Sequence, residues 1–433
     1  MRDAVQQIFT EGHVKTNKKL ILTLAATAIS ATAAQAGGFS TDGVNPGGAL
    51  FNDKSLVIQG ALGYAMPQRR YTGAMGTNQL GADPGGLTSS DATPNYFLLS
   101  GDLKVGINEN IDCAVRGHQP YFLDNEISSG FEGEYVQSSF QIDSVGIDGT
   151  CSYKFDVGNG YRMRLIAGVT STDFEASRSN QANPFYLAAV NAAIPQVMFP
   201  GSFAGDYTNT YAFEADRGYG YRLGASFEIP QYALRAQVIY DSVVDLELEG
   251  SQRVYNATEE LLNTPAFLDL ELPQSVSARF QSGINETTLV YGGVRWMDWS
   301  EVQTLNILVP VNPFGALNKV LSTGYSDGWT VEAGVQQKLT DDLSGSFGVK
   351  WDKGIGGGYT DTWSVNGGLA YDIDDNWRIS FGGSVSLLTS STETSGVPYD
   401  VGDSPGGGGS GSFYRQGDDW AYAIGTRIQY SMK

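Results

Sequence analysis

The C-terminal stretch Asp419-Trp420-Ala421-Tyr422-Ala423-Ile424-Gly425-Thr426-Arg427-Ile428-Gln429-Tyr430-Ser431-Met432-Lys433 alternates strictly. Trp420, Tyr422, Ile424, Thr426, Ile428, Tyr430 and Met432 form a largely apolar set, while Ala421, Ala423, Gly425, Arg427, Gln429, Ser431 and Lys433 form a small or polar one. A period of two belongs to a β-strand whose faces meet different surroundings. The pattern recurs at Tyr219, Tyr221, Leu223, Ala225, Phe227 and Ile229, and again at Tyr232, Leu234, Ala236, Val238 and Tyr240, with Arg222, Glu228, Arg235 and Gln237 on the opposite face. Trp363, Val365, Leu369 and Tyr371 continue it. A water-soluble sandwich alternates in the same way, so alternation alone leaves the surroundings open.

Connection lengths decide between them. Fourteen strands are predicted near 55–66, 94–107, 110–122, 138–155, 158–171, 208–229, 231–249, 267–281, 285–308, 325–339, 342–353, 359–372, 376–389 and 413–432. Long links at 67–93, 123–137, 172–207, 250–266, 309–324 and 390–412 alternate with tight turns at Asn108-Glu109, Gly158-Asn159, Pro230, Asn285, Thr340-Asp341 and Asp374-Asp375. Residues 354–358 form an unusually short member of the long-link end. Long loops at one end and tight turns at the other characterise an outer-membrane barrel, and an even strand count puts both termini at the turn end, in the periplasm. The predicted fold is therefore all-β, a transmembrane antiparallel β-barrel of fourteen strands over 55–433, with a short lumenal plug segment before it.

Composition agrees. Of 433 residues, 41% are hydrophobic, 17% charged and 12% aromatic, with 55 glycines lacking any period of three. Disorder would need more charge and fewer aromatics, and a helical membrane protein would need apolar runs of roughly 18 residues or more. A barrel needs neither, since only every second residue faces lipid and every backbone group is paired around the closed sheet. Acidic residues outnumber basic ones 47 to 27, for a net charge of −20, which argues against nucleic acid as a partner.

Lys18-Lys19, the apolar run Leu20–Ile29 and the small residues ending Ala34-Gln35-Ala36 are the three parts of a secretory signal peptide, with cleavage expected after Ala36. Residues 1–13 carry Asp3 and Glu11, which a basic leader lacks, so translation is expected to begin at Val14 from an alternative start codon. Export places Cys113 and Cys151 where a disulfide persists. Both fall near the turn-proximal ends of the third and fourth strands on the outward face, and a bridge between them near the periplasmic rim is expected.

Several segments resemble the FadL family of outer-membrane transporters for long-chain fatty acids and other hydrophobic compounds, the OMPP1/FadL/TodX group. Gly220–Ala236, continuing to Val243 and Asp245-Leu246, looks like that family's central hairpin. Leu268-Asp269-Leu270-Glu271-Leu272-Pro273-Gln274-Ser275-Val276 is similar to the strand that follows, and Val294-Arg295-Trp296-Met297-Asp298-Trp299-Ser300 to its long ninth strand. Gly324–Trp329 and Asp374–Arg378 match later strand starts. The likeness runs from about residue 205 to the C-terminus, and the first 200 residues match in layout only.

This resemblance implies a hatch inside the lumen, outer loops that capture an amphipathic ligand, and a lateral exit through an interrupted third strand. Only 37–54 precede the barrel, with Asn45-Pro46-Gly47-Gly48-Ala49 where the family carries an Asn-Pro-Ala motif, and an ordinary turn accounts for those residues equally well. In loop 172–207, Phe185, Tyr186, Ala189, Val190, Ala193 and Ile194 follow Pro184 at helical spacing, with Leu187, Val197, Met198 and Phe199 beside them. Such a helix either binds an apolar ligand or packs on the barrel rim. Phe314 in loop 309–324 repeats the Asn-Pro-Phe pattern. In the third strand, Asp112, Ala114, Arg116, His118 and Pro120 are expected in the lumen, and Cys113, Val115 and Tyr121 toward lipid. Pro120 lacks an N–H and Gly117 packs nothing, so Gly117, His118 and Pro120 mark either a lateral opening or the end of the strand above the membrane.

An acyl chain with a carboxylate head needs an apolar groove, worth roughly 0.8 kcal/mol per buried methylene, and a cation. Arg116, Arg222 and Arg235 are the lumen candidates for the cation, each of which lumen acids could equally pair. The reading is passive, ligand-gated uptake of long-chain fatty acids or similar hydrophobic compounds by a monomer set in outer-membrane lipid and lipopolysaccharide. A general hydrophilic diffusion porin is the alternative, and it would place charges in loop 172–207, whose centre is apolar. Catalysis is not expected: the sequence after the leader holds one histidine, His118, with no partner set beside it. No Walker motif, Cys-x-x-Cys pair or His cluster suggests ATP, metal or another cofactor.

Overall fold

A computed structural model describes residues 38–44, 48–75, 87–131, 138–182, 207–215, 217–255, 259–310, 316–356, 358–390, 399–400 and 413–432. Residues 1–36, expected to be a leader, lie outside the described residues.

Fourteen antiparallel strands close into a barrel. They are β1 (Leu56–Pro67), β2 (Tyr96–Gly106), β3 (Ile111–His118, resuming at Leu123–Glu126), β4 (Ser139–Gly158), β5 (Tyr161–Ala182), β6 (Tyr207–Ala215 and Gly218–Ile229) and β7 (Leu234–Asp241 and Val244–Tyr255). Then follow β8 (Glu260–Leu272 and Ser275–Gly283), β9 (Thr288–Met297 and Thr304–Val309), β10 (Leu317–Ser322 and Gly328–Lys338), β11 (Leu343–Asp352), β12 (Thr362–Asp372), β13 (Trp377–Leu388) and β14 (Asp419–Met432). β1 closes the barrel on β14 from Leu56↔Met432 to Pro67↔Ala421, so no lower edge is left unpaired. A small separate sheet of Arg70–Met75, Ser89–Asp91 and Phe413–Gln416 sits at the loop end.

The lipid face is the aromatic and aliphatic set read from sequence. Trp420, Tyr422, Ile424 and Ile428 are exposed while Ala421 and Ala423 are buried. Trp377 of β13 packs against Tyr430 with ring centroids 5.0 Å apart near the turn end. Ten steps from Trp420 to Tyr430 cover roughly 33 Å of strand, which a tilt of about 40° reduces to roughly 25 Å, the height of an outer-membrane apolar band.

Several strands run on beyond that band. Residues 250–266, expected as a loop, instead continue β7 to Tyr255 and β8 from Glu260 as a paired ladder whose register shifts between Val254 and Tyr255. β5 likewise extends to Ala182 and β3 resumes at Leu123. The alternation persists there with reversed phase. On β7, Gln237 and Ile239 are buried below the break at Ser242-Val243, whereas Val244, Leu246 and Leu248 are buried above it. On β8, Ser275 and Ser277 are buried below Pro273-Gln274 and Leu268, Leu270 and Leu272 above. β3 and β6 reverse in the same way, to Leu123 and Asn125 and to Tyr211 and Phe213. A change of phase by one residue along a strand moves the whole set to the other face.

Candidate functional site in the lumen

The lower lumen is a charged network. Asp112 of β3 accepts contacts from Lys104 at 2.6 Å, Arg164 at 3.0 Å and Lys154 at 3.2 Å. Arg164 also donates to Glu228 at 3.1 Å and to the Leu50 carbonyl at 2.9 Å. Arg222 donates to Asp241 at 2.6 Å and stands 3.2 Å from Asp148. Each of these charges is paired, as burial demands.

The N-terminal segment threads through this network. Leu50 and Phe51, in a single 3-10 turn (Gly48–Phe51), pack on Ala114, Ile166 and Ile239. The Arg235 guanidinium lies 4.1 Å above the Phe51 ring and donates to Gln281 at 2.9 Å. Asp42 sits 3.2 Å from Arg116 and 3.1 Å from His118, and its carbonyl accepts from Arg295 at 2.8 Å. Burial opposes ionisation of Asp42, but His118 and Arg116 outweigh it and hold the carboxyl well below the usual range. Gly38 adopts φ 73°, and a Cβ there would meet Ile355 and Trp299, so only glycine passes between those two side chains. The short link 354–358 thus reaches inward: Ile355 is fully buried in the upper core.

At the interruption of β3 the segment takes over the pairing. His118 faces Gly146 and Leu123 faces Ile142, so the four residues 119–122 oppose the three residues 143–145. The freed backbone is bonded by the N-terminal segment: Thr41 N donates to the Pro120 carbonyl at 2.9 Å, and Phe122 N donates to the Phe39 carbonyl at 3.0 Å. Ser144 Oγ accepts from Tyr121 N at 2.8 Å and donates to its carbonyl at 2.8 Å. The extra residue turns Tyr121 inward, correcting the expectation that it faces lipid: its ring lies 6.2 Å from Phe174 and 6.3 Å from Trp299. On the other side, the β2–β3 ladder ends at Gly101↔Gly117. Above it, among the described residues, the Gln119 side chain accepts from Leu99 N at 3.1 Å, and the Phe122 ring packs 4.6 Å from Tyr96.

Above the network lies an apolar cavity of about 130 Å³. Phe39 from the N-terminal segment, Leu123, Ile142, Phe174, Phe213, Leu268, Leu270, Ile307, Tyr325 and Tyr359 are among its walls, with Asn125, Ser177, Arg178, Thr323 and Gln416 as polar members. Phe39 anchors the floor, 4.4 Å from Trp299. Trp299, carried inward by the 3-10 turn Trp299–Glu301 that interrupts β9, is fully buried. Burial pushes the Tyr325 phenol well above its ordinary value, so this wall residue stays uncharged.

The family described as outer membrane protein transport protein (OMPP1/FadL/TodX) matches residues 17–355. The chain belongs to this family. Its barrel is similar to a Pseudomonas aeruginosa FadL homologue at 17% identity, covering 90% of this chain and 93% of that one with a TM-score of 0.74. The Pseudomonas putida toluene transporter TodX (15%, 90% and 92%, TM-score 0.63) and the Ralstonia pickettii toluene transporter TbuX (14%, 90% and 92%, TM-score 0.62) share the fold. No curated protein sequence matches the chain. As an OMPP1/FadL/TodX protein it resides in the outer membrane of a Gram-negative bacterium and carries hydrophobic compounds; it is a transport protein and not an enzyme.

The residues singled out from sequence distribute unevenly over this OMPP1/FadL/TodX barrel. Phe185, Tyr186, Leu187, Val190, Ile194, Val197, Met198, Phe199 and Phe314, and the turn residues Asn45 and Pro46, lie outside the described residues. Gly117, His118 and Pro120 stand at the break in β3. Arg116, Arg222 and Arg235 belong to the lower network and do not line the cavity. Cys113 and Cys151 face each other across β3 and β4 and are joined by a disulfide with an S–S distance of 2.07 Å. The sequence does carry a signal for the cavity wall and the core around it: Leu268 and Leu270 of the wall, and Leu246 and Leu248 of the core, alternate with Asp269, Glu271, Glu247 and Glu249. Acids cannot face lipid, so such a stretch must stand above the bilayer with its leucines inward.

Proposed function

We propose that this protein takes up small hydrophobic molecules by passive diffusion through the upper lumen, with monoaromatic compounds the best-fitting cargo. The observation that carries this reading is the apolar cavity above a lower lumen crossed by ion pairs, with Leu123 and Asn125 in its wall on the same strand whose ladder with β2 ends lower down at Gly117. An apolar cavity of about 150 Å³ holds benzene, and the one here is close to that size. A long-chain fatty acid enters this reading as a larger cargo of the same apolar character. The names of the toluene transporters that share the fold point the same way.

Moving such a molecule down through the charged network would break paired, buried charges at several kcal/mol each. Lateral movement between β2 and β3 into the membrane avoids that cost. The N-terminal segment acts as the hatch, since its Phe39 floors the cavity and its backbone satisfies the β3 break. The protein works as a monomer within outer-membrane lipid and lipopolysaccharide.

Uptake of labelled toluene and labelled oleate by cells with and without the protein, alongside sugar-dependent liposome swelling, tests the reading. Toluene uptake without sugar permeation is expected. Deleting Pro120 restores three residues opposite three, so β3 zips against its neighbours and uptake falls. Sugar permeation without uptake of either cargo would establish a hydrophilic porin instead.

A further inference from the structure

The cavity is not uniformly apolar, and its polarity is layered by register. Asn125, Phe140, Arg178 and Tyr211 are successive cross-strand partners and form one tier of the wall. Leu123, Ile142, Ala176 and Phe213 form the next tier down by the same pairings, without a polar side chain. Asn125 Nδ2 donates to the Tyr71 hydroxyl at 2.6 Å, and Tyr71 is the cross-strand partner of Gln416 in the small sheet. Asn125 and Arg178 therefore share the outer tier, with Gln416 beside it across Tyr71, while Ser177, Thr323 and the tyrosine hydroxyls are the other polar groups of an otherwise hydrocarbon wall.

Two of these groups are incomplete. Asn125 is 8% exposed and Gln416 6%, and neither Asn125 Oδ1 nor Gln416 Oε1 has a hydrogen-bond partner among the described residues. Both atoms lie on residues that line the cavity. A buried carbonyl oxygen without a donor is costly, and a site that holds one discriminates against any ligand unable to supply an O–H or N–H.

We propose, resting on the hydrophobic-uptake reading above, that the cavity selects a monohydric phenol over the corresponding hydrocarbon or carboxylate. One aromatic ring fills the apolar tiers within the available volume. Its hydroxyl donates to an amide oxygen of Asn125 or Gln416 and accepts from the Arg178 guanidinium. A hydrocarbon leaves the amide oxygens unpaired. A carboxylate meets Arg178 but sets two negative oxygens against two carbonyl oxygens.

Calorimetric titration of the full-length protein in nanodiscs with p-cresol, toluene and p-toluate separates these cases, because the three ligands differ only in the polar substituent. Binding of p-cresol about tenfold tighter than toluene is expected, the size of one satisfied buried acceptor. In the double variant Asn125→Leu/Gln416→Leu, checked for folding by heat-modifiable gel mobility, the cresol-to-toluene ratio falls to near one. Toluene binding as tight as cresol overturns the proposal while leaving hydrophobic uptake intact. Tighter binding of p-toluate overturns it as well, by showing that the amides present N–H groups to the cavity. If none of the three binds, the cavity reading fails and this proposal with it. Should the double variant not fold, the wild-type ligand series alone decides.

Discussion

The two halves of the lumen are built on the same strands and share almost no chemistry. Below, Asp112, Glu228 and Asp148 are matched against Lys104, Arg164 and Arg222 at salt-bridge distance. Above, Phe174, Phe213, Leu268 and Ile307 belong to one hydrophobic cluster. β6, β7 and β8 contribute to both, since the break in each strand reverses which residues point inward. The breaks in β7 and β8 stand opposite each other and that in β6 lies several residues higher, and together they divide one tube into a charged base and an apolar chamber.

The sharpest way to break this contrast is at Asp112. Asp112→Ala removes the carboxylate shared by three cations at the base, two of them on nearly fully buried side chains, and leaves only Arg164 with another acid, Glu228. A loss of about 3–5 kcal/mol is expected, read by denaturant unfolding of the refolded barrel in lipid. A loss below that of an apolar truncation in the chamber would show that the network is wetter than its geometry implies.

Phe174→Ala addresses the chamber. Phe174 is 1% exposed and lines the cavity. Because one side of it already borders empty space, truncation should cost about 2–3 kcal/mol, below the range for a fully packed phenylalanine. The enlarged chamber should also shift the preferred cargo from one-ring to two-ring hydrocarbons, measured by competition for toluene binding.

The smallest expected effect concerns the segment that joins the halves. Asp42 is held ionised by His118 and Arg116 against its burial, so its folded carboxyl titrates below the unfolded value. A group depressed in this way contributes stability that is present above the unfolded value, near 3.9, and is lost only as pH falls through the folded one. Docking of the N-terminal segment should therefore be unchanged between pH 8 and pH 5 as far as Asp42 controls it. Thiol labelling of a Ser40→Cys variant reports this, with Asp42→Asn raising the labelling rate at every pH in that range. A rise in the parent's labelling between pH 7 and pH 5 would assign docking to another group.

Much of the wall was legible without coordinates. Alternation in Trp420–Met432 states which residues meet lipid, and the rhythm of long and short links states how many strands there are and which end faces the periplasm. The opposed placement of Cys113 and Cys151 also follows from strand phase. The chamber is harder to read, because local strand phase does not show where it is interrupted. Phase carried unbroken past His118 points Tyr121 at lipid, and the extra residue between His118 and Leu123 turns it inward. Residue type picks out the lumen arginines, but type alone does not say whether Arg222 meets a ligand or Asp241.

By itself, then, the sequence determined a fourteen-stranded outer-membrane barrel and its lipid face, because both depend on local periodicity and on the lengths of connections. Only the tertiary structure decided what the lumen contains. There, Phe39 meets Trp299 and Asp42 meets His118 across most of the barrel's sequence or its N-terminal third, and Tyr71 meets Asn125 over a loop. Such contacts are set by barrel closure and by the height of each strand break, which no single strand's pattern records.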